Sequence, residues 1–313
     1  MALPEELKAL AAEVSNWGRW GEDDQRGTAN LLTPAAACRG AAAVRSGKRF
    51  ELGIPMGHAG PQTGGIPGRF NPIHAFVGID QTYTGSSDDF TDSNDILILS
   101  TQGTTHWDAI AHVTYEEKLF NGFPASKVSA HRGATRCGID RVGPVVTRGV
   151  LLDVAAAKGV GRLDGGYPIT GDDLDAAAAM AAVTVEPGDA VLVHTGQMQV
   201  LDAARTIAER DEYRVSSPGI GTGAIRWIRE HDVAAMATDN LTFEVFPFED
   251  PKVMLPVHMI TLRDIGLLQG QNWRLGELAA DCASDGQYDF LLEATPEPIV
   301  GGTGSPVNPV AVK

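Results

Sequence analysis

Three cysteines in 313 residues, Cys38, Cys137 and Cys282, are widely separated and odd in number. That excludes a disulfide framework and a Cys-x-x-Cys metal site, and a reducing, cytoplasmic setting is expected. Basic residues are scarce too: 25 Lys and Arg stand against 40 Asp and Glu, a formal net charge of −15. Nucleic-acid binding draws its affinity from Lys and Arg, so no nucleic-acid partner is expected. A neutral or weakly polar small molecule suits such a chain better than an anion, unless a local arginine clamps one. No apolar run approaches the ~20 residues that cross a bilayer, and even the Ala-rich stretch 176–183 is short. The first residues carry Glu5 and Glu6 where a signal peptide would be basic, so neither secretion nor a membrane role is expected.

What is present is a chain 43% hydrophobic and 21% charged, ample for one large core. Residues 4–14 read as an amphipathic helix, and Thr33 caps a second at about 34–46, together an N-terminal helical extension over about 1–46. Between 57 and 94, Gly, Pro, Ser and Asp dominate, which predicts a long irregular loop insertion and a substrate cover. Asp95–Ser100 reads as a buried strand, followed by strands at 149–154, 189–194, 233–237, 257–262 and 288–292. Helices are expected at 171–183, 222–230 and 275–284. Strands alternating with helices mean an α/β fold with a mixed sheet, in a single domain spanning 1–313.

Chemistry concentrates in Gln102-Gly-Thr-Thr-His106-Trp-Asp108-Ala-Ile-Ala-His112. Two of the eight histidines fall within seven residues, with a carboxylate between them and an amide upstream. Imidazole nitrogen with carboxylate and amide oxygen suits Zn²⁺, Mn²⁺ or Fe²⁺. In an extended segment His106 and Asp108, at i and i+2, project to one side and reach one ion. Gln102 is the candidate third donor. An isolated His-x-Asp is also what hydrogen-bonded histidines and a turn aspartate look like, so spacing alone leaves both readings open.

The segment resembles the His-x-Gly-Thr-His-x-Asp-x-Pro-x-His signature of the cyclase-like metal-dependent hydrolases, which include bacterial kynurenine formamidase and isatin hydrolase. Trp20-Gly-Glu-Asp-Asp-Gln-Arg-Gly-Thr-Ala-Asn30, Asn121-Gly-Phe-Pro-Ala125, Pro187-Gly-Asp189, Asp239-Asn240 and Gly304-Ser-Pro-Val-Asn308 extend the likeness along nearly the whole chain. It implies a swivelling β/β/α fold, with a central mixed β-structure flanked by helices, and assembly as a homodimer or homotetramer. It also implies metal ligation by His106 and Asp108, a role for His112 as a second-site ligand or as acid–base catalyst, and an active-site role for His258. Two positions depart from the pattern: Gln102 stands where formamidases carry a ligand histidine, and Gln271 where a glutamate is common. Amides bind divalent ions weakly, so one ion, Mn²⁺ or Zn²⁺, is expected rather than two.

The implied activity is attack of a metal-activated water on a small amide or cyclic amide, such as an aryl formamide or cyclic imide. Lactone or cyclic-diketone opening is the alternative within hydrolases. A non-hydrolytic cyclase or a small-ligand-binding protein is the alternative outside them. Trp20, Phe70, His74 and Trp107, with Gln271, are candidates for substrate contact, although aromatic core packing explains any one of the tryptophans as well. His194 ends a buried strand and has an ordinary structural explanation. Gly219-Ile-Gly-Thr-Gly223 does not follow a strand, so it is not read as a phosphate cradle.

Overall fold

The strands that build the core are runs of small and β-branched residues buried on both faces. The computed structural model describes residues 3–86 and 88–313. Eleven strands matter here: β1 (Arg49–Glu51), β2 (Ile73–Thr82), β3 (Thr91–Ile98), β4 (His106–Asp108), β5 (Val146–Asp153), β6 (Ala190–His194), β7 (Ala235–Thr238), β8 (Leu268–Gln271), β9 (Asp289–Glu293), β10 (Gly304–Pro306) and β11 (Val310–Val312). Nine of them form one mixed, curled sheet in the order β1-β11-β9-β5-β6-β7-β8-β4-β10, with helices against it. β5, β6, β7 and β8 run parallel; the strands on either side are antiparallel.

Side chains alternate across this sheet with the strand period of two. Val150, Leu152, Val191, Val193 and Met236 enter one core, which is covered by helices Glu5–Val14, Gly171–Met180 and Ile225–Glu230. Leu151, Ala190, Leu192, Ala235 and Ala237 enter the other, with Trp107, Trp273 and the helix Gly276–Asp285. Burial on both faces is the normal state of parallel strands and accounts for their continuous apolar composition. Among the described residues, no helix is long and apolar enough to cross a membrane.

Three expectations are corrected. Residues 257–262 are not a strand: Pro256–His258 opens a helix that widens into a π-helix over Met259–Ile265. A short apolar run cannot be told from a buried helix by periodicity. Here Thr261 donates its hydroxyl back to the Val257 carbonyl, a helical contact. The segment 57–94 is not irregular throughout, because β2 and β3 form a hairpin within and just beyond it. Nor is Asp95–Ile98 buried: Ile96, Leu97 and Ile98 are exposed, as are Ile73, Phe76 and Val77 opposite. The hairpin is a separate two-stranded sheet, and among the described residues its apolar side chains find no second layer.

Candidate metal and acid–base site

The ligand strand is only three residues long, and it exists because it is paired on both sides. β8 brings Gln271 opposite His106, and β10 brings Pro306 opposite the same residue. Alternation then sends Trp107 to the helix-covered core, where it is fully buried against Trp273 and its indole N–H donates to the Ala294 carbonyl. His106 and Asp108 share the other face. Trp107 is therefore a core residue and not a substrate contact.

His106 is completely buried. Its Nδ1–H donates to the Thr104 carbonyl at 2.6 Å, which leaves the Nε2 lone pair facing inward. Burial lowers its pKa to about 4, despite the pull of Asp108 in the other direction, so the ring is neutral at physiological pH. Burial opposes charge on Asp108 as well, but His112, His106, Arg69 and His258 outweigh it and hold the carboxyl at about 2. Gln271 donates its amide to Asp108 Oδ2 at 2.7 Å. Oδ1 is left free, 3.7 Å from both His106 Nε2 and His112 Nε2.

His106 Nε2 and Asp108 Oδ1 are both buried and have no hydrogen-bond partner. Orphaned acceptors of this kind in an otherwise satisfied interior call for an unseen cation or water. An imidazole nitrogen and a carboxylate oxygen suit a divalent ion that His106 and Asp108 would hold, and a backbone carbonyl on the other ring nitrogen is the usual companion of a metal-bound imidazole. No three His, Cys, Asp or Glu side chains among the described residues close into a complete cage. A catalytic ion with open positions fits this donor set better than a structural one.

His112 lies at the mouth, with Gln102 Nε2 at 3.5 Å from its Nδ1. The Gln102 oxygen accepts from Thr101, so in this arrangement the amide presents nitrogen to the site and positions His112. Burial lowers the His112 pKa, with Arg69 and His258 adding to the effect against Asp108. His258, on the helix preceding the π-turns, faces Glu244 through Nδ1 at 2.5 Å and Asp108 Oδ2 through Nε2 at 4.0 Å. Glu244 is itself buried and accepts from the backbone N–H groups of Val257 and His258.

Six of the expected residues, Gln102, His106, Asp108, His112, His258 and Gln271, thus converge. The aromatic candidates do not. Trp20 packs with Ile110, Ala111 and Phe120 behind the site. His74 lies on the exposed hairpin, paired with Asp95. Phe70 is 40% exposed, its backbone N–H held by Ser100.

Two residues went unrecognised in the sequence. Glu244 lacks any motif; its one signal is an acid shortly before His258. Arg69, in the Gly- and Pro-rich segment, extends a guanidinium N–H to His112 Nε2 at 3.3 Å.

Residues 50–245 match the family model named Cyclase and described as "Putative cyclase". The chain belongs to this cyclase family. A solved structure described as a novel cyclase shares 37% identity with this cyclase-family chain, with a TM-score of 0.89, and the match covers 97% of this chain and 99% of the other. Isatin hydrolase A from Labrenzia aggregata, bound to benzyl benzoate, is 18% identical with a TM-score of 0.61, over 87% of this chain and 94% of that one. An isatin hydrolase bound to the product analogue thioisatinate gives 16% and 0.60, over 90% and 98%. At those identities the likeness speaks for the fold. No curated protein matches the sequence.

Proposed function

We propose that the protein is a metal-dependent hydrolase of a small amide or cyclic amide. The observation that carries this is the pair of orphaned atoms, His106 Nε2 and Asp108 Oδ1, on one face of a three-residue strand. Membership of the cyclase family and the fold shared with isatin hydrolases support it. His106 and Asp108 would hold one divalent ion, Mn²⁺ or Zn²⁺, which supplies Lewis acidity to a water and to the scissile carbonyl.

The chain's own residues supply the rest. Gln271 fixes the Asp108 carboxylate by holding Oδ2, and the Thr104 carbonyl fixes the His106 tautomer. His112, neutral and at the mouth, takes a proton from the attacking water on Nε2. As the C–N bond breaks it returns that proton to the leaving nitrogen. Glu244 keeps His258 oriented through Nδ1, so that its Nε2 faces Asp108 Oδ2 while His112 faces Oδ1. Lactone opening would use the same groups, with oxygen leaving.

Assembly as a homodimer or homotetramer belongs to this reading, and the uncovered apolar hairpin supports it, since contiguous exposed apolar surface marks interaction sites. Free cysteines, two of them buried, support a reducing, cytoplasmic setting.

The test is elemental analysis of wild type and Asp108→Ala, with hydrolysis of isatin, formanilide and a γ-lactone assayed on both. About one Mn or Zn per chain, lost with activity in the variant, is the expected result. A protein free of metal that still turns over substrate would sink the proposal.

A further inference from the structure

The net charge of the chain argues against anionic ligands, yet the mouth of the site holds a cation. Arg69 makes no ion pair with a carboxylate among the described residues. Its guanidinium instead donates to His112 Nε2 at 3.3 Å, the nitrogen whose lone pair the proposed chemistry needs. Aiming a half-buried guanidinium at an imidazole has no purpose in stability that a carboxylate would not serve better.

The placement is built into the backbone. Asn71 ties the segment into a knot, accepting from the Gln62 N–H and donating to the Gln62 and His58 carbonyls. Ser100 holds the Phe70 N–H. Gly103, inside the Gln-Gly-Thr-Thr-His motif, lets the two segments touch: a Cβ there would lie 2.7 Å from the Phe70 carbonyl oxygen. The glycine of the ligand loop therefore seats the residue next to Arg69.

We propose that Arg69 is a specificity-determining residue that binds a carboxylate on the substrate or product, and that it leaves His112 to do so. A carboxylate offers two oxygens to the guanidinium fork and a stronger, charge-assisted pair than a neutral imidazole nitrogen. Ligand binding then uncovers His112 Nε2. The preferred substrates carry, or acquire on hydrolysis, a carboxylate beside the reacting centre. This rests on the hydrolase reading for its biological meaning but not for its test.

The test is isothermal titration of wild type, Arg69→Met and Arg69→Lys with two matched pairs, benzoate against benzamide and acetate against acetamide, in chelator-treated and Zn²⁺-loaded protein. Wild type is expected to prefer the carboxylate by about tenfold or more in the metal-free state. Arg69→Met is expected to lose that preference, and Arg69→Lys to keep part of it. Thermal unfolding checks that the variants are folded.

A wild type with no preference in either pair, or an Arg69→Met variant that keeps it, overturns the proposal. If the carboxylate preference holds but the protein takes up no metal and hydrolyses nothing, the hydrolase reading fails and the clamp stands.

Discussion

Two buried histidines sit at the C-terminal edge of the parallel strands, one on β6 and one on β4, and the protein treats them in opposite ways. His194 ends β6 with Asp153 Oδ1 at 3.0 Å and Asp239 Oδ2 at 3.9 Å, one carboxylate for each ring nitrogen. The first contact lies off the hydrogen-bond line, so it is mainly electrostatic. Burial pulls the His194 pKa down, but the two carboxylates outweigh it and leave it raised. His106, three strands further along the sheet, has a carbonyl on one nitrogen and a single carboxylate, Asp108 Oδ1 at 3.7 Å, facing the other, and burial wins. Two carboxylates, one near each nitrogen, bias a buried imidazole toward its charged form, whereas a carbonyl on Nδ1 and one carboxylate facing Nε2 let burial keep His106 neutral with its Nε2 lone pair free.

The sharpest way to break this contrast is Asp108→Ala. It removes the carboxylate that three histidines surround, and stoichiometric metal and turnover should both vanish, as read by elemental analysis and rate assay. Next comes His194→Gln. Asp153 and Asp239 keep their backbone N–H donors but lose the ring that faces both, so unfolding free energy should fall by about 1–3 kcal/mol in denaturant titration. Metal content per folded chain should stay unchanged; a parallel loss of metal would mean that the two regions act as one site.

The pH dependence of stability should split along the same line. His194 has a raised pKa, so its contribution is fully present below 6.5 and is lost as pH climbs through its higher folded value. The gap between wild type and His194→Gln should therefore narrow on the alkaline side. His106 is depressed to about 4, so in metal-free protein it costs stability as pH falls from 6.5 towards 4. That cost is on the order of 2–3 kcal/mol. Asp108 adds to the acid loss below 3.8. A smaller effect is expected from Gln271→Ala, which frees Asp108 Oδ2 and should weaken metal binding by about 10–100-fold in competition with a chelator. Smallest of all is Val77→Ser on the exposed hairpin. It should change unfolding of the isolated chain by no more than about 0.5 kcal/mol while lowering the sedimentation coefficient at a given concentration.

The parts of the fold that could be read ahead were those where burial imposes a pattern. β5, β6, β7 and β9 are apolar runs closed by turns, and helix Gly171–Met180 announces itself with the Thr170 capping box. β4, β8 and β10 carried no such mark. Leu268-Gln-Gly-Gln271 and Gly304-Ser-Pro306 are strands because of what they pair with, and their composition reflects service to the site. The i, i+2 argument placed His106 and Asp108 together correctly, and the same alternation, followed one residue further, would have sent Trp107 to the opposite core. Arg69 and Glu244 were invisible because they lie in segments without periodicity, 43 and 14 residues from their partners. The hairpin was misjudged since Ile-Leu-Ile-Leu looks the same whether it is covered by its own chain or left for another.

The pairing of β4 with β10 also sets an order of events during synthesis. His106 and Asp108 leave the ribosome well before Gly304–Pro306, the strand that flanks them on one side. At typical elongation rates of about 5–20 residues per second the interval is roughly 10–40 s. Throughout it the would-be ligands belong to no strand held on both edges, and a passing ion meets a floppy dipeptide spacing with little grip. For the proposed hydrolase, metal choice is thereby postponed until the last part of the chain has arrived, when a finished enclosure and not a nascent loop would decide which ion stays.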